Sequence, residues 1–275
     1  MYETNFHKVA TVTDAAALLT NAEDGMILAG GQTLIPTMKQ RLASPTDLID
    51  LSSSTLLRKI SVEKRKKMGI LRVDGGETVS IGAMVTHAEV AEHAELALVC
   101  PVVCSLAGNI GDPSVRHRGT IGGSVANNDP AADYPAALLA LEAVIHTNLR
   151  KIPASDYFTG MFSTALNDNE IVTSISFQAP DFGGYSKFPN PASRYAMVGV
   201  FISKSIKGAI SVAITGAGKN GVFRQVELET ALTADWSTSA IDKVDITSKN
   251  LLSDIHADAV YRAHLIKVMA KRALV

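Results

Sequence analysis

The sequence has 275 residues, of which 47% are hydrophobic, so it is long enough for one large or two modest domains with a substantial core. Its 26 Lys and Arg residues balance 27 Asp and Glu residues to a formal charge of −1, which argues against a nucleic-acid-binding surface. The two cysteines are too few to hold an iron–sulfur cluster, so any such cluster must lie on another chain.

No apolar run approaches the roughly 20 residues that a membrane-spanning helix needs. Residues 1–8 lead into no stretch of signal-peptide character. We therefore expect a cytoplasmic protein without a transmembrane segment.

Short apolar runs alternate with helical patterns in the N-terminal part of the chain. They predict a helix over residues 14–19 with Thr13 as its N-cap, strands over 26–29 and 47–51, and a helix over 34–42 with Pro36 in its first turn. Gly30 and Gly31 thus fall between a strand and a helix. The basic run at residues 64–67 is interpreted as a solvated turn.

The middle of the chain contains a long glycine-studded segment. A strand is predicted over residues 78–83 and helices over 87–106, where Cys100 and Cys104 are interpreted as buried apolar residues. The irregular segment over residues 108–130 follows, and irregular segments of this length in compact domains usually have a function. A helix over 132–142 and a strand over 143–147 complete this part.

Beyond Glu170 the pattern changes to strands in antiparallel succession. They are predicted over residues 171–178, 195–204 and 209–215, and helices follow to the end of the chain. The pattern predicts a separate α+β C-terminal domain with its boundary near residues 179–180.

Two short glycine-rich segments carry the main functional signal, Ala29-Gly30-Gly31-Gln32-Thr33 and Thr120-Ile121-Gly122-Gly123-Ser124. Glycines at the end of a strand leave backbone N–H groups free to converge on phosphate oxygens, and a following helix adds its positive end. Neither segment has the spacing of a Rossmann fingerprint or a Walker loop. Two such segments far apart in sequence suit a pyrophosphate, which is the linkage in FAD.

A longer stretch around the second segment resembles a known family. It includes Thr120-Ile121-Gly122-Gly123-Ser124 and Asp129-Pro130-Ala131-Ala132-Asp133, which resemble motifs of the FAD-binding medium subunit of the xanthine dehydrogenase and carbon monoxide dehydrogenase family. Residues 29–39 resemble the first phosphate loop of that family, and Ile81-Gly82-Ala83 with Thr86-His87 resembles a third motif. The resemblance runs in the family's order from about Phe6 into the last helices.

The resemblance implies an α+β protein with the FAD-binding fold of the vanillyl-alcohol oxidase (PCMH) type. Two α/β subdomains, about residues 1–56 and 57–178, would form the FAD-binding domain over residues 1–178. Residues 179–275 would form a C-terminal domain of antiparallel strands and helices.

The resemblance also implies which residues contact FAD. The pyrophosphate and ribityl oxygens would be held by Ala29, Gly30, Gly31, Gln32, Thr33, Leu34, Ile35, Thr120, Gly122, Gly123 and Ser124. Asp133 would accept a hydrogen bond from a sugar hydroxyl, Ile110 would lie against the flavin, and Val172 and Lys187 would contact the cofactor. Ile171 fits almost as well as Val172.

Several of these residues have structural alternatives. Asp133 could instead cap the following helix, and Lys187 could be an exposed lysine at a strand end. Arg116 and Arg118 could neutralise phosphates or lie on the surface. His117 and Arg194 stand where the family usually has Asn and Asp, so the resemblance assigns them no role.

No nucleophile with an ordered base and no metal-binding set is recognised in the sequence. The resemblance implies an oxidoreductase subunit that takes electrons from [2Fe-2S] clusters on a small subunit, fed by a molybdenum cofactor on a large subunit, and passes them from FAD to an external acceptor. The complex would be a dimer of heterotrimers. A self-contained FAD oxidase or reductase, and a scaffold that has lost its cofactor, are the alternatives.

Overall fold

A computed structural model describes residues 1–63 and 76–275. The basic run at residues 64–67 lies outside the described residues. None of the helices in the described ranges has the length and hydrophobicity that crossing a lipid bilayer requires.

The N-terminal residues form a small parallel sheet with helices between its strands. The elements are β1 (Asn5–Lys8), α1 (Val12–Asn21), β2 (Gly25–Leu28), α2 (Leu34–Lys39) and β3 (Asp47–Asp50). The three-stranded sheet has the order β1-β3-β2, and both strand pairs are parallel. Ala15 and Leu19 of α1 are buried in the same apolar cluster as Ile49 of β3.

The ends of these helices differ from the sequence prediction. The N-cap of α1 is Thr11, whose hydroxyl accepts a hydrogen bond from the Asp14 N–H at 3.1 Å, so the choice of Thr13 was wrong. Both threonines are good caps by type, and the three-residue spacing to Asp14 favours the earlier one. Helix α2 ends at Lys39, before the predicted residue 42, and Arg41 adopts a left-handed φ of 62°.

The second part of the fold is an antiparallel sheet covered by helices. A 3-10 helix (Leu56–Arg58), β4 (Ile60–Glu63) and β5 (Thr78–Gly82) precede α3 (His87–Glu92), α4 (Ala94–Val99), α5 (Pro101–Gly108), α6 (Pro113–Arg116), α7 (Ile121–Asn127) and α8 (Tyr134–Ala140). Then come β6 (Val144–Thr147), β7 (Lys151–Pro153), α9 (Ala154–Tyr157), β8 (Phe158–Gly160), β9 (Ser163–Thr164) and β10 (Val172–Gln178). The five-stranded sheet has the order β4-β5-β10-β6-β7.

Two sequence predictions for this region need correction. The segment over residues 108–130 is not irregular throughout, because α6 and α7 lie within it. Residues 172–178, which the sequence pattern grouped with the C-terminal strands, instead pair as β10 with β5 and β6. The prediction that Cys100 and Cys104 are buried is confirmed. Burial raises the pKa of the Cys100 thiol to about 12.

The C-terminal residues form a second antiparallel sheet with helices on it. The elements are β11 (Phe182–Pro189), β12 (Ala196–Lys204), β13 (Ile210–Thr215), β14 (Phe223–Arg224), α10 (Val226–Ala234), α11 (Thr238–Asp242) and α12 (Ala259–Leu274). The four strands pair in sequence order. Strand β11 was missed in the sequence because Gly183, Gly184 and Pro189 are residues that strands disfavour.

Candidate functional site

A cavity of about 710 Å³ opens where the three parts of the fold meet. Its walls come from the loop after β2, the start of α7, the start of β10, and residues 193–195 before β12. All of the predicted cofactor-binding residues line it except Ile35 and Lys187. Ile35 lies on α2 beneath Gly31, and Lys187 lines a smaller neighbouring cavity. The fold therefore brings together residues that are more than a hundred positions apart in sequence.

The first glycine segment presents a row of unused backbone donors. Gly31 adopts a φ of 71°, a left-handed conformation that glycine tolerates best. Within the described ranges, the N–H groups of residues 30–34 find no acceptor in the protein, and the Thr33 hydroxyl makes no capping hydrogen bond. Backbone donors at a turn that leads into a helix form a favourable site for an anion.

The second glycine segment forms the first turn of α7, and its amide N–H groups already donate hydrogen bonds to other groups of the protein. The N–H groups of Ile121 and Gly122 donate to Val85 O at 3.0 Å and Ala83 O at 2.9 Å. The Gly123 N–H donates to the hydroxyl of Thr120 at 3.1 Å. The sequence suggested that both segments offer amides to phosphate. In the structure only the first does so, while the second contributes the Ser124 hydroxyl.

The two glycine segments pack directly against each other. A Cβ added to Gly30 would lie 2.2 Å from Arg118 O and 2.7 Å from the Gly119 Cα. A Cβ added to Gly123 would lie 3.6 Å from the Ala29 Cβ. Arg118 thus contributes through its backbone, and its exposed side chain lines neither cavity. The glycines at these positions bring two stretches of backbone to one wall of the cavity.

The Asp-Pro-Ala-Ala-Asp stretch, residues 129–133, connects this wall to the C-terminal sheet. Its residues 130–132, which carry the connecting hydrogen bonds, are called the joint. Pro130 O accepts hydrogen bonds from the Gly216 N–H at 2.8 Å and from the Thr215 hydroxyl at 3.1 Å. The Thr215 hydroxyl lies 2.7 Å from Ala132 O as well. Just before the joint, the Asp129 carboxylate accepts a hydrogen bond from the Ala131 N–H at 2.8 Å. Hydrogen bonds to the C-terminal sheet thereby fix the backbone that places Asp129 and Asp133 at the cavity.

A buried arginine of the last helix reinforces the other side of this joint. Arg262 is buried, and its guanidinium donates to Met197 O at 2.5 Å and Gly216 O at 2.7 Å. Its charge is balanced by Asp254 at 2.7 Å. Arg262 therefore holds the ends of β12 and β13 where they meet the joint.

Asp133 and Lys187 form a buried ion pair across the same boundary. Their side chains are 4% and 8% exposed, and Lys187 Nζ lies 2.9 Å from the Asp133 carboxylate. The Tyr185 hydroxyl also donates to this carboxylate. Burial raises the pKa of Asp133, and the Lys187 charge opposes that rise.

The structural alternatives for this pair are both wrong. Asp133 stands at the N-cap position of α8 but makes no capping hydrogen bond, because its carboxylate is turned toward the C-terminal sheet. Lys187 is held by Asp133 and donates to Asn109 O at 3.0 Å, so it is not an exposed lysine. A carboxylate has about four acceptor positions, so Asp133 can still receive a further donor from the cavity.

His87 was not predicted as a site residue, although it belongs to the Thr86-His87 motif. It is 4% exposed and lines the cavity, and its ring packs against Tyr134 at 5.4 Å between centroids. Burial, with a smaller effect of the Arg116 charge, lowers the pKa of His87 to about 4. The imidazole is therefore neutral at physiological pH. Its Nδ1 is buried without a hydrogen-bond partner among the described residues.

A second network holds the wall that ends in Ile171 and Val172, both of which line the cavity. The buried Glu170 carboxylate accepts from Arg150 Nε at 2.9 Å and from the Thr147 hydroxyl at 2.7 Å. Mainly through the Arg150 hydrogen bond, the pKa of Glu170 is lowered to about 2. Glu170 precedes the predicted Val172 in sequence, but nothing in its type alone indicated this role.

The remaining lining residues that the sequence missed are mainly apolar or flank the motifs, among them Met84, Asp129, Leu166 and Tyr195. His117 lies exposed at the end of α6 and lines neither cavity. In the ranges that the structure describes, no group of three or more His, Cys, Asp or Glu side chains could hold a metal ion. The size of the cavity and the free N–H groups of residues 30–34 suit a large anionic ligand.

Comparison with known proteins identifies relatives along nearly the whole chain. Residues 2–178 match the family described as "FAD binding domain in molybdopterin dehydrogenase". The nicotine 6-hydroxylase medium subunit of Paenarthrobacter nicotinovorans is 32% identical over 97% of this chain and 94% of its own. The carbon monoxide dehydrogenase medium chain of Afipia carboxidovorans is 30% identical over 98% of this chain and 95% of its own.

The same similarity extends to three-dimensional structure. A chain of the carbon monoxide dehydrogenase from Hydrogenophaga pseudoflava superimposes with a TM-score of 0.86 at 31% sequence identity. The match covers 99% of this chain and 96% of that one. All parts of the fold, including the C-terminal sheet, are therefore shared with that protein.

Proposed function

This chain belongs to the family of FAD-binding medium subunits of molybdenum hydroxylases, and from that premise we propose that it is the electron-transfer link of such a complex. The family resemblance and the α+β fold class predicted from the sequence are confirmed. The protein is an oxidoreductase subunit with FAD as its cofactor. The observation that carries the proposal is the row of unused N–H groups over residues 30–34 in the large cavity.

The described residues fit FAD in size and chemistry. The cavity volume of about 710 Å³ lies within the roughly 300–1,000 Å³ typical of cofactor sites. The free amides of residues 30–34 suit the charge of a pyrophosphate. Apolar side chains elsewhere in the cavity, Ile110 and Val172 among them, suit the flat face of an isoalloxazine ring.

The roles of single residues follow from their positions. Residues 29–34 and Ser124 would hold the pyrophosphate and ribityl oxygens, with Gly122 and Gly123 bringing α7 close. Asp133 would accept from a sugar hydroxyl while Lys187 holds its carboxylate in place. Lys187 and Ile35 would act indirectly, since neither lines the cavity. Bound FAD would supply the redox chemistry, and the protein would bind it, orient it and limit its exposure to water.

The partners follow from the family. Relatives are named as medium subunits or medium chains, and we propose that a small subunit with [2Fe-2S] clusters and a large subunit with the molybdenum cofactor complete this complex. Electrons would leave through an external acceptor, and the assembly would be a dimer of heterotrimers. We further propose a cytoplasmic location, which two free, buried cysteines support.

The domain division is proposed as residues 1–178 for FAD binding, with subdomains of about 1–56 and 57–178, and residues 179–275 for the C-terminal domain. The separate sheets support it. The C-terminal sheet is hydrogen-bonded to the 130–132 joint, and no observation on the described residues favours the self-contained oxidase.

The test compares the affinities of the purified chain for two flavins, FAD and riboflavin. Apoprotein should bind FAD at least about a hundredfold more tightly than riboflavin, because riboflavin lacks the pyrophosphate that the amides of residues 30–34 would bind. Equal affinities, or no binding of FAD, would contradict the proposal. Copurification with the small and large subunits, and no flavin reduction by small substrates in their absence, separates the subunit from a self-contained oxidase.

A further inference from the structure

A second cavity of about 340 Å³ lies beside the main one and is rich in positive charge. It is lined by Gly108, Asn109, Gly111, Arg116, Lys187, Pro189, Asn190, Pro191 and Arg194. Three of these residues are cations, and no carboxylate is among them. Gly111 and Arg194 also line the main cavity, so a molecule here would lie next to the cofactor.

The three cations converge on one short stretch of backbone. Lys187 Nζ lies 3.0 Å from Asn109 O, and Arg116 Nη1 lies 3.0 Å from Ile110 O and 3.2 Å from Gly111 O. Arg194 Nη1 approaches the same Gly111 oxygen at 3.4 Å. These hydrogen bonds fix the positions of the positive groups at the wall of the cavity.

Two of the three charges remain uncompensated. Lys187 is neutralised by Asp133. In the part of the chain that the structure describes, neither Arg116 nor Arg194 forms an ion pair with a carboxylate. A guanidinium has about five N–H donors, so each arginine retains donors after binding its carbonyl.

The loop that carries Arg194 holds it in an unfavourable backbone conformation. Arg194 has a backbone φ of 63°, which is uncommon for any residue other than glycine. The loop is closed by hydrogen bonds from the Arg194 N–H to Asn190 O and from the Asn190 N–H to Tyr195 O, each 2.8 Å. Unfavourable backbone conformations of this sort are concentrated at functional sites.

We propose that this side cavity binds the phosphate group of a second small molecule, held by Arg116 and Arg194 beside the cofactor. Two arginine forks in an acid-free cavity match the geometry and charge of a phosphate. The main cavity already has room for FAD, so the side cavity is left for another ligand. The proposal uses the FAD-loaded protein and in that respect rests on the proposed function.

The test is isothermal titration of the FAD-loaded full chain with inorganic pyrophosphate and, separately, with ADP. Saturable binding of one ligand per chain is expected. Arg194→Asn, which tolerates the left-handed backbone, should weaken it about tenfold or more. Arg194→Lys, which keeps the charge, should restore most of the affinity. Arg58→Gln is the matched control, since Arg58 is exposed and lines neither cavity, and it should leave binding unchanged.

The two titrants separate the sources of the phosphate. Tighter binding of ADP indicates an organic phosphate, and tighter binding of pyrophosphate indicates a free anion; either supports the site. The proposal is overturned if the loaded chain binds neither, if only the FAD-free chain binds them, or if Arg194→Asn binds as the unsubstituted protein does. The FAD content of every sample, read from its absorbance, shows independently whether the proposed function itself has failed.

Discussion

The Cα of Gly30 faces the carbonyl oxygen of Arg118 so closely that a Cβ on Gly30 would lie 2.2 Å from that oxygen. This contact joins the loop after β2 to the approach of α7, and it positions the free amides of residues 30–34 against the second glycine segment. The proposed binding of FAD by these amides therefore depends on a backbone-to-backbone approach that no other residue type permits.

Gly30→Ala tests this contact. The added methyl group must push the Arg118 backbone away, and overpacking of this kind costs about 1–3 kcal/mol. FAD affinity, measured by fluorescence quenching, should fall by roughly a factor of ten or more. Gly160→Ala is the control, because a Cβ there would first meet Ser163 at an ordinary 3.7 Å. Unchanged FAD affinity in Gly30→Ala would show that the two segments need not touch.

Two adjacent glycines of α7 should behave differently from each other. A Cβ on Gly122 would lie 2.5 Å from the Ala83 Cβ and 2.6 Å from Ala83 O, whereas on Gly123 the nearest atom is the Thr120 Oγ1 at 3.0 Å. We expect Gly122→Ala to lower the melting temperature by several degrees, since about 1 kcal/mol shifts it by roughly 2–4 °C in a protein of this size. Gly123→Ala should mainly weaken FAD binding. Identical losses of stability in the two variants would contradict this division.

The glycine segments also show how much of the candidate site could be predicted from the sequence. Their residue types and order indicated an anion-binding wall, because local backbone freedom is a property of the sequence itself. That the amides of Ile121 and Gly122 are already bound depends on Val85 and Ala83, which reach them only through the tertiary fold. The sequence therefore predicted two segments that line the cavity and could not show which segment has free donors.

The C-terminal half shows the same limit. Residues 172–178 were correctly predicted as a strand from their apolar character, but their pairing with β5 and β6 involves partners far away along the chain. The roles of Thr215 and Gly216 at the 130–132 joint likewise left no local signal. Contacts between distant segments are decided by packing, and a single sequence does not encode them in any short pattern.

The buried pair of Asp133 and Lys187 should show strong energetic coupling. Asp133→Asn or Lys187→Met alone leaves an unpaired buried group, and loss of one partner of a buried pair costs about 3–5 kcal/mol. The double variant should lose clearly less than the sum of the two single losses. The measurement is a double-mutant cycle of urea unfolding on FAD-free protein.

An exposed pair of the same chain serves as the control for that cycle. Lys271 and Asp242 form an ion pair with side chains 36% and 58% exposed, and such pairs typically contribute no more than about 1 kcal/mol. Lys271→Met and Asp242→Asn should therefore show little coupling. If the Asp133 and Lys187 cycle gives a value as small as this control, the buried pair does not hold the C-terminal sheet to the cavity wall.

The buried imidazole of His87 should make folding stability depend on pH below neutrality. Its pKa in the folded protein is about 4, whereas an unfolded chain has a His pKa of about 6.5. As the pH falls below about 6.5 the unfolded state takes up the proton first, so stability decreases until the pH reaches the folded pKa. Between pH 6.5 and 5 the loss of folding free energy from this residue should be about 2 kcal/mol.

The variant His87→Phe should remove that part of the pH dependence in urea unfolding, and His117→Gln, at an exposed position, should keep it. A His87→Phe protein with the original pH dependence would show that another group titrates.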